Sequence, residues 1–189
     1  MPKSSAKTDI PIYQLKITLR NSRPPIWRRV LVPGNFTLDK LHQVIQAAMG
    51  WDDAHLHQFI VDGSYFSIPS PEDWEPAIDE RRFKLQDIAP TVKRKFTYEY
   101  DFGDSWEHVI LVEKILLAEA GATYPVCVKG KRACPPEDVG GIWGYASFLE
   151  AIADPEHEEH DSYLEWVSDD FAPEEFDLEE VNEMLGRIK

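Results

Sequence analysis

The sequence predicts an α+β fold: a β-grasp-like mixed sheet with one packed helix, and a C-terminal acidic helical segment docked on it. Three observations carry this prediction. Apolar residues alternate with period two near the start of the chain and again past its middle, and between these stretches one segment switches to the helical period. The last third repeats apolar residues at helix spacing while carrying no Lys or Arg between residues 154 and 183. With 189 residues, 43% hydrophobic and 12% aromatic, the chain has enough apolar surface for a core of its own, which excludes intrinsic disorder.

Tyr13, Leu15, Ile17 and Leu19 alternate with Gln14, Lys16, Thr18 and Arg20, the pattern of a strand with one buried face. Pro24 and Pro25 stop it, and residues 26–32 return as the second strand of a hairpin that ends at Pro33-Gly34. Leu38, Leu41, Val44, Ile45 and Ala48 then share one helical face, with Thr37 placed to cap the first turn and Gly50 to end the last. A strand over residues 55–61 leads through Asp62-Gly63, a short hairpin turn, into residues 64–67. Residues 68–79 are rich in proline and acid and lack any period, which reads as an ordered loop anchored by Trp74. Residues 95–101 and 105–115 form the clearest hairpin, turning at Phe102-Gly103-Asp104.

Helices follow around Tyr145, Phe148, Leu149 and Ile152, and around Tyr163, Leu164 and Val167. The final helix has Asp177 with Glu180 as a capping-box-like pair and Phe176 with Val181 as a hydrophobic staple. Its buried stripe is Leu178, Val181, Leu185 and Ile188. On this reading residues 1–153 form the core domain, with a disordered tail over residues 1–9 and a Cys/Pro/Gly-rich loop over residues 127–144. Residues 154–189 pack on it as an acidic helical extension within one structural unit.

The net charge of -14 comes from 20 basic and 34 acidic residues. Fourteen of the acidic ones lie between Asp154 and Glu183, and the other 20 balance the basic residues, so the excess sits at one end of the molecule. Such an end suits a basic protein partner, or covers basic strands of its own chain. A nucleic-acid surface is confined to Arg20, Arg23, Arg28, Arg29 and Lys93, Arg94, Lys95, with Trp27 as an aromatic contact, and the acidic end repels that ligand. No apolar run has the length of a membrane span and the first residues lack a signal-peptide core, so a cytoplasmic location without a membrane partner is expected. Cys127 and Cys134 are too few for a disulfide framework and lack zinc-knuckle spacing; they read as reduced thiols. The glycine motifs of nucleotide binding and acyl transfer are missing from the sequence, and no motif specifies a cofactor.

Three stretches carry more polar and special residues than packing needs. A two-residue turn at Gly103-Asp104 would set Glu99 opposite His108 and Asp101 opposite Trp106. Glu99, Asp101, Asp104 and His108 then become a candidate catalytic or metal-binding group; the structural alternative is a cross-strand charge pair on an exposed face. His55 and His57, two apart on a strand, suit a divalent metal with His42 or His108 as further donors, or are partly buried hydrogen-bonded residues. Pro135, Pro136, Gly140, Gly141 and Gly144 fix the loop that presents Cys134, Glu137 and Asp138 ahead of Trp143, either as a ligand site or as a rigid helix entry. At least two of these stretches are expected to line one concave surface, with Trp106 or Trp143 as an apolar wall. His157 and His160, set among glutamates, read as a solvated helix entry.

Five segments in this order resemble the plasmid pRiA4b ORF-3-like family. They are Pro25-Ile-Trp-Arg-Arg29, Leu41-His-Gln-Val-Ile-Gln-Ala-Ala-Met-Gly-Trp51, His55-Leu-His-Gln-Phe59, Tyr98-Glu-Tyr-Asp-Phe-Gly-Asp-Ser-Trp-Glu-His108 and Cys134-Pro-Pro-Glu-Asp-Val-Gly-Gly141. The resemblance implies an uncharacterised cytoplasmic protein, some members being labelled passengers of mobile elements or resolvase-like. A resolvase needs a nucleophilic serine beside arginines that handle a phosphate, and no such cluster stands in this sequence, so that activity does not carry over. The leading expectation is a non-enzymatic interaction module; a hydrolase-like or metal-dependent enzyme is the alternative, and a mobile-element nucleic-acid binder the third.

Overall fold

The computed structural model describes residues 10–70, 76–167 and 171–188. Strands β1 (Ile12–Leu19) and β2 (Trp27–Pro33) form a hairpin, helix α1 (Leu38–Met49) follows, and β3 (His57–Val61) with β4 (Ser64–Ser67) makes a second hairpin. Then come β5 (Ile78–Asp79), a 3-10 turn at Glu80–Arg82, α2 (Leu85–Ile88), β6 (Lys95–Tyr100), β7 (Trp106–Leu116) and β8 (Val126–Lys131). The chain ends with α3 (Gly141–Ala153), α4 (His160–Val167) and α5 (Leu178–Leu185). One eight-stranded sheet runs in the order β5-β4-β3-β6-β7-β1-β2-β8. Only β4 and β5 are parallel, which makes the sheet mixed.

The α+β architecture with one helix packed on the sheet therefore follows the sequence pattern. Leu15, Ile17, Val30, Val32, Phe59, Tyr98 and Ile110 come from the alternating strands and Leu38, Leu41, Val44, Ile45 and Ala48 from α1, and all are excluded from solvent. Alternation in a strand and i, i+3, i+4 recurrence in a helix each gather apolar groups on one side, and only stacking the two layers removes both from water. Gly50 ends α1 in the left-handed conformation (φ 103), donating its amide to Gln46 O at 2.8 Å. Thr37 stands at the N-cap position but its side chain caps nothing; the Leu38 amide instead donates to Phe83 O at 3.0 Å. The start of α1 is thus set by the segment leading into α2, a short element that the sequence pattern does not reveal.

The expected Cys/Pro/Gly loop is shorter than the sequence suggests. Residues 126–131 pair with β2 as an edge strand, with a register shift between Arg29 and Val30 that leaves Val128 as the extra residue. Trp74 and the tail over residues 1–9 lie outside the described residues. The acidic end docks on this edge. Asn182 accepts the Cys127 amide at 2.7 Å and donates to the Cys127 carbonyl at 2.9 Å, replacing the strand partner β8 lacks on its open side. Leu185 is wholly buried, Asp177 caps α5 by accepting the amides of Glu179 and Glu180, and Glu174 pairs with Arg132.

Much of the basic surface proposed for nucleic acid is engaged within the fold. Arg28 is buried, donates to the carbonyls of Ala48, Trp27 and Lys131, and lies 4.3 Å over the Phe176 ring. Arg20, Arg29 and Arg94 pair with Glu107, Glu113 and Asp62, and the Trp27 ring is covered by Lys16 and Arg29. No helix among the described residues is long and apolar enough to cross a membrane. Because α5 anchors through one fully buried side chain, Leu185→Ala should cost about 2–4 kcal/mol in urea unfolding. A cost under about 0.5 kcal/mol, typical of a surface change, would show that α5 is not part of the core.

Candidate metal centre

Three loops meet at the ends of β3 and β6. In the loop between α1 and β3, the Asp53 amide donates to Gln46 Oε1 at 3.0 Å, the Ala54 amide to the Tyr100 hydroxyl at 2.9 Å, and Leu56 O accepts the Asp101 amide at 2.8 Å. These bonds bring His55 against the β6–β7 turn. That turn spans residues 101–105, entered and left in the left-handed conformation by Asp101 (φ 56) and Ser105 (φ 52). It is closed by Ser105 N to Asp101 O at 2.6 Å and by Gly103 N to Asp101 Oδ1 at 2.9 Å. The third loop precedes α3. Its Gly140 amide donates to Asp104 Oδ2 at 3.0 Å, and Gly141 approaches the turn so closely that a Cβ there would stand 2.5 Å from Asp104 O, which only glycine permits.

At the meeting point His55 Nε2 lies 3.1 Å from Asp138 Oδ1, 3.6 Å from Glu137 Oε2 and 3.8 Å from Asp101 Oδ2. The nitrogen is shut off from solvent and makes no hydrogen bond with any of them. Donor atoms of His55, Asp101 and Asp138 all lie within 4.8 Å of one another. Ligands bonded to one divalent ion at about 2.1 Å stand about 3.0–4.2 Å apart, and the three contacts of His55 Nε2 lie within that range. The supporting bonds fit as well. Asp101 Oδ1 is held by the Gly103 amide and Glu137 Oε1 by the Asp52 amide (2.8 Å) and the Tyr100 hydroxyl (3.0 Å), so in each carboxylate the other oxygen turns to His55. Outer bonds of this kind orient metal ligands. Burial, reinforced by the charge of Glu137, pushes the Tyr100 phenol above its ordinary range and keeps it a donor. Asp138 is 71% exposed against 11% for Asp101 and 19% for Glu137, so the site opens to solvent on the Asp138 side.

All three stretches singled out in the sequence thus converge, but not every residue does. His55, Asp101, Glu137 and Asp138 come together, and Asp104 supports them by holding Gly140. Glu99 and His108 part company. The register sets Tyr98 opposite His108 and Glu99 opposite Glu107, because the turn has five residues rather than two and shifts the pairing by one. Glu99 accepts instead from Gln58 and Ser105, on the other face of the sheet from His108. Trp106 is a core residue 5.3 Å from the Trp51 ring, whereas Trp143 is 84% exposed on α3 and walls no part of this site. Cys134 sits under Gly50, and burial pushes its thiol far above the ordinary cysteine range, so it offers no reactive thiolate. Tyr100 and Asp52 escape sequence reasoning because their contributions, a phenol inside an apolar alternation and a main-chain amide, have no motif.

His57 belongs elsewhere. Strand β3 begins at His57, so strand alternation does not reach back to His55, and the two imidazoles do not share a site. His57 stacks on His42 with ring centres 3.5 Å apart and planes 5° from parallel, and its Nε2 bonds the fully buried Glu80 at 3.0 Å. The Tyr98 hydroxyl accepts from Gln46 and donates to His42 Nδ1 at 2.8 Å, leaving His42 Nε2–H for Asp53 at 2.9 Å. Although donor atoms of His42, Asp53 and His57 lie close together, stacked rings direct their lone pairs side by side rather than to one point. This group is a hydrogen-bonded polar core.

The model of the plasmid pRiA4b ORF-3-like proteins matches residues 11–180, which include every residue of this site. The chain belongs to that family. It is 42% identical over 179 residues to the uncharacterized protein y4hQ of Sinorhizobium fredii, covering 94% of this chain and 92% of that one. Its fold matches the crystal structure of MM3350, a protein of unknown function from Methanosarcina mazei Go1, with a TM-score of 0.84 and 41% identity over 92% of this chain and 97% of that one. The relatives bring a family and a fold without an activity, so the site must be read from its own geometry.

Beneath the site His108 is fully buried, with the Trp51 ring edge-on at 6.4 Å and no hydrogen bond of normal geometry at either ring nitrogen. Burial, opposed by the nearby carbonyls of Tyr98 and Trp106 and aided by Arg28, lowers its pKa to about 4. An unfolded imidazole takes up its proton near pH 6.5. As pH falls below that value the unfolded chain therefore gains a proton that the folded chain refuses, and stability is lost progressively down to about pH 4. Between pH 7 and pH 5 this one group should remove about 2 kcal/mol of stability. His108→Leu should abolish that part of the pH dependence in denaturant titrations at the two pH values. An unchanged difference would sink the assignment.

Proposed function

We propose that the protein is a metal-dependent enzyme of hydrolytic type, with a divalent first-row metal ion held by His55, Asp101, Glu137 and Asp138. The observation that carries the reading is the buried His55 Nε2, unbonded yet within 4 Å of three carboxylates from two other loops. One imidazole with carboxylates is a donor set for Zn²⁺, Mn²⁺ or Fe²⁺. The exposed Asp138 side leaves room for a water molecule, whose ionisation such a metal promotes and whose attack on an ester it supports. The competing interaction-module reading rests on the segregated acidic charge. Part of that end turns inward, with Glu174 on Arg132, Phe176 on Arg28 and Asn182 on Cys127, which supports a covering role over that of a partner surface.

Chain purified without chelator should carry one metal per molecule in elemental analysis. Stripped chain should take up Zn²⁺ or Mn²⁺ in calorimetry and then hydrolyse an activated p-nitrophenyl ester in a chelator-sensitive way. His55→Ala and Asp101→Asn should each weaken metal binding more than about 100-fold, and Tyr100→Phe, which removes the bond to Glu137 and the one from the Ala54 amide, at least about tenfold. Glu99→Gln should bind as the wild type does. Failure of the stripped wild-type chain to take up either ion at about 0.1 mM would refute the proposal.

A further inference from the structure

A cavity of about 430 Å³ lies between the β1–β2 turn and α3. It falls within the size range of small-molecule sites. Its lining includes Arg23, Ile26, Arg132, Trp143, Ala146 and Leu149, and no carboxylate and no residue of the metal centre is among its walls. In a chain of net charge -14, an apolar cavity whose only charged walls are two arginines selects against cations and favours a single anion.

Arg132 supplies the detail. Its side chain is only 12% exposed and one terminal nitrogen, Nη1, is taken by Glu174. Its Nε is withdrawn from solvent and has no hydrogen-bond partner. The backbone at Arg132 is left-handed (φ 72), a conformation that costs energy in a residue other than glycine and recurs at functional positions. A buried N–H left without a partner is costly. Arg132 lines the cavity, and with Nη1 on Glu174 and Nε closed off, its second terminal nitrogen, Nη2, is the charged donor left for a ligand there. Arg23, at the exposed rim, makes no ion pair among the described residues. Trp143 keeps its indole 84% exposed beside the same cavity, a poor use of so large an apolar surface unless something flat lies against it.

We infer that this cavity binds a small organic carboxylate with a flat apolar body, its carboxylate on Arg132 and its ring against Trp143. The aliphatic walls from Ile26, Ala146 and Leu149 take the apolar body, and the pairing of Arg132 with Glu174, which offsets part of its charge, favours one carboxylate over a more highly charged phosphate.

The test uses the full chain, with 2-naphthoate and its uncharged counterpart 2-naphthamide as probes in calorimetry and NMR titration. The expected result is one saturable site, at least about tenfold tighter for the acid than for the amide. Arg132→Gln should erase that preference. Trp143→Ala, at an exposed position where folding is not at stake, should weaken both probes about five- to tenfold. Binding should persist in His55→Ala and in chelated protein, which separates this site from the metal centre. No saturation below about 5 mM, equal affinity for the amide, or loss of binding on chelation would each overturn the proposal.

Discussion

The hydroxyl of Tyr100, on a side chain wholly withdrawn from solvent, accepts the Ala54 amide and donates to Glu137. Through these two bonds the loop before β3 and the loop before α3 are both referred to one strand of the sheet. Trp51 and Val139 anchor the two loops in the core, and the polar segments beside them would otherwise leave amides and carboxylates to water. Burial raises the phenol's pKa, so the donated proton is not lost. The two loops place His55 and Glu137 only because β6 is rigid between β3 and β7. Bonds from the Asp101 amide to Leu56 O and from the Gly140 amide to the Asp104 carboxylate repeat the same device on either side.

Below this frame the core is unusually polar. His42 and His57 stack, Glu80 is fully buried, and Trp51, Trp106 and His108 all keep ring nitrogens without partners. Burial, with the neighbouring His57 ring, holds His42 down in pKa and burial does the same for His108, so both stay neutral at neutral pH. Keeping these two imidazoles neutral avoids the large cost of enclosing charge. The arrangement separates two environments: aromatic and hydrogen-bonded under α1, rich in carboxylates where the loops meet. The boundary between them is the seven-residue stretch from Trp51 to His57, whose first and last side chains are buried and whose Asp52 and Asp53 stand in water.

How much of this was legible in the sequence depends on the range of the interaction concerned. The strands, α1 and the final helix follow from periodicity because burial on one face acts at every second or every third and fourth residue. The convergence of the three polar stretches followed from composition, since prolines, glycines and charges were denser there than a packed turn requires. Register was lost to a detail of the same turn. Asp101 in the left-handed conformation captures the Gly103 amide, lengthens the connection, and so moves His108 from Glu99 to Tyr98. β8 was lost because Val126, Cys127 and Val128 are a short apolar run followed by Lys-Gly-Lys, and the capture of Cys127 by Asn182, 55 residues away, is what closes the open side of that strand. Long-range bonds of this kind leave no local trace.

The electrostatics of the site lead furthest. Asp101, Glu137 and Asp138 present oxygens to one imidazole, and like charges at about 4 Å repel by about 1 kcal/mol in water and several times that near a protein surface. Proteins that crowd carboxylates for structure alone ordinarily place arginine or lysine among them. Here, among the described residues, His55 is the only basic side chain paired with any of the three. The oxygens turned away from His55 are instead fixed by neutral donors, the amides of Gly103 and Asp52 and the phenol of Tyr100. Neutral donors orient a carboxylate without cancelling its charge. Three neutral donors aim two of these carboxylates at one point, and no Lys or Arg among the described residues pairs with them there, which is the electrostatic ground for the cation we propose.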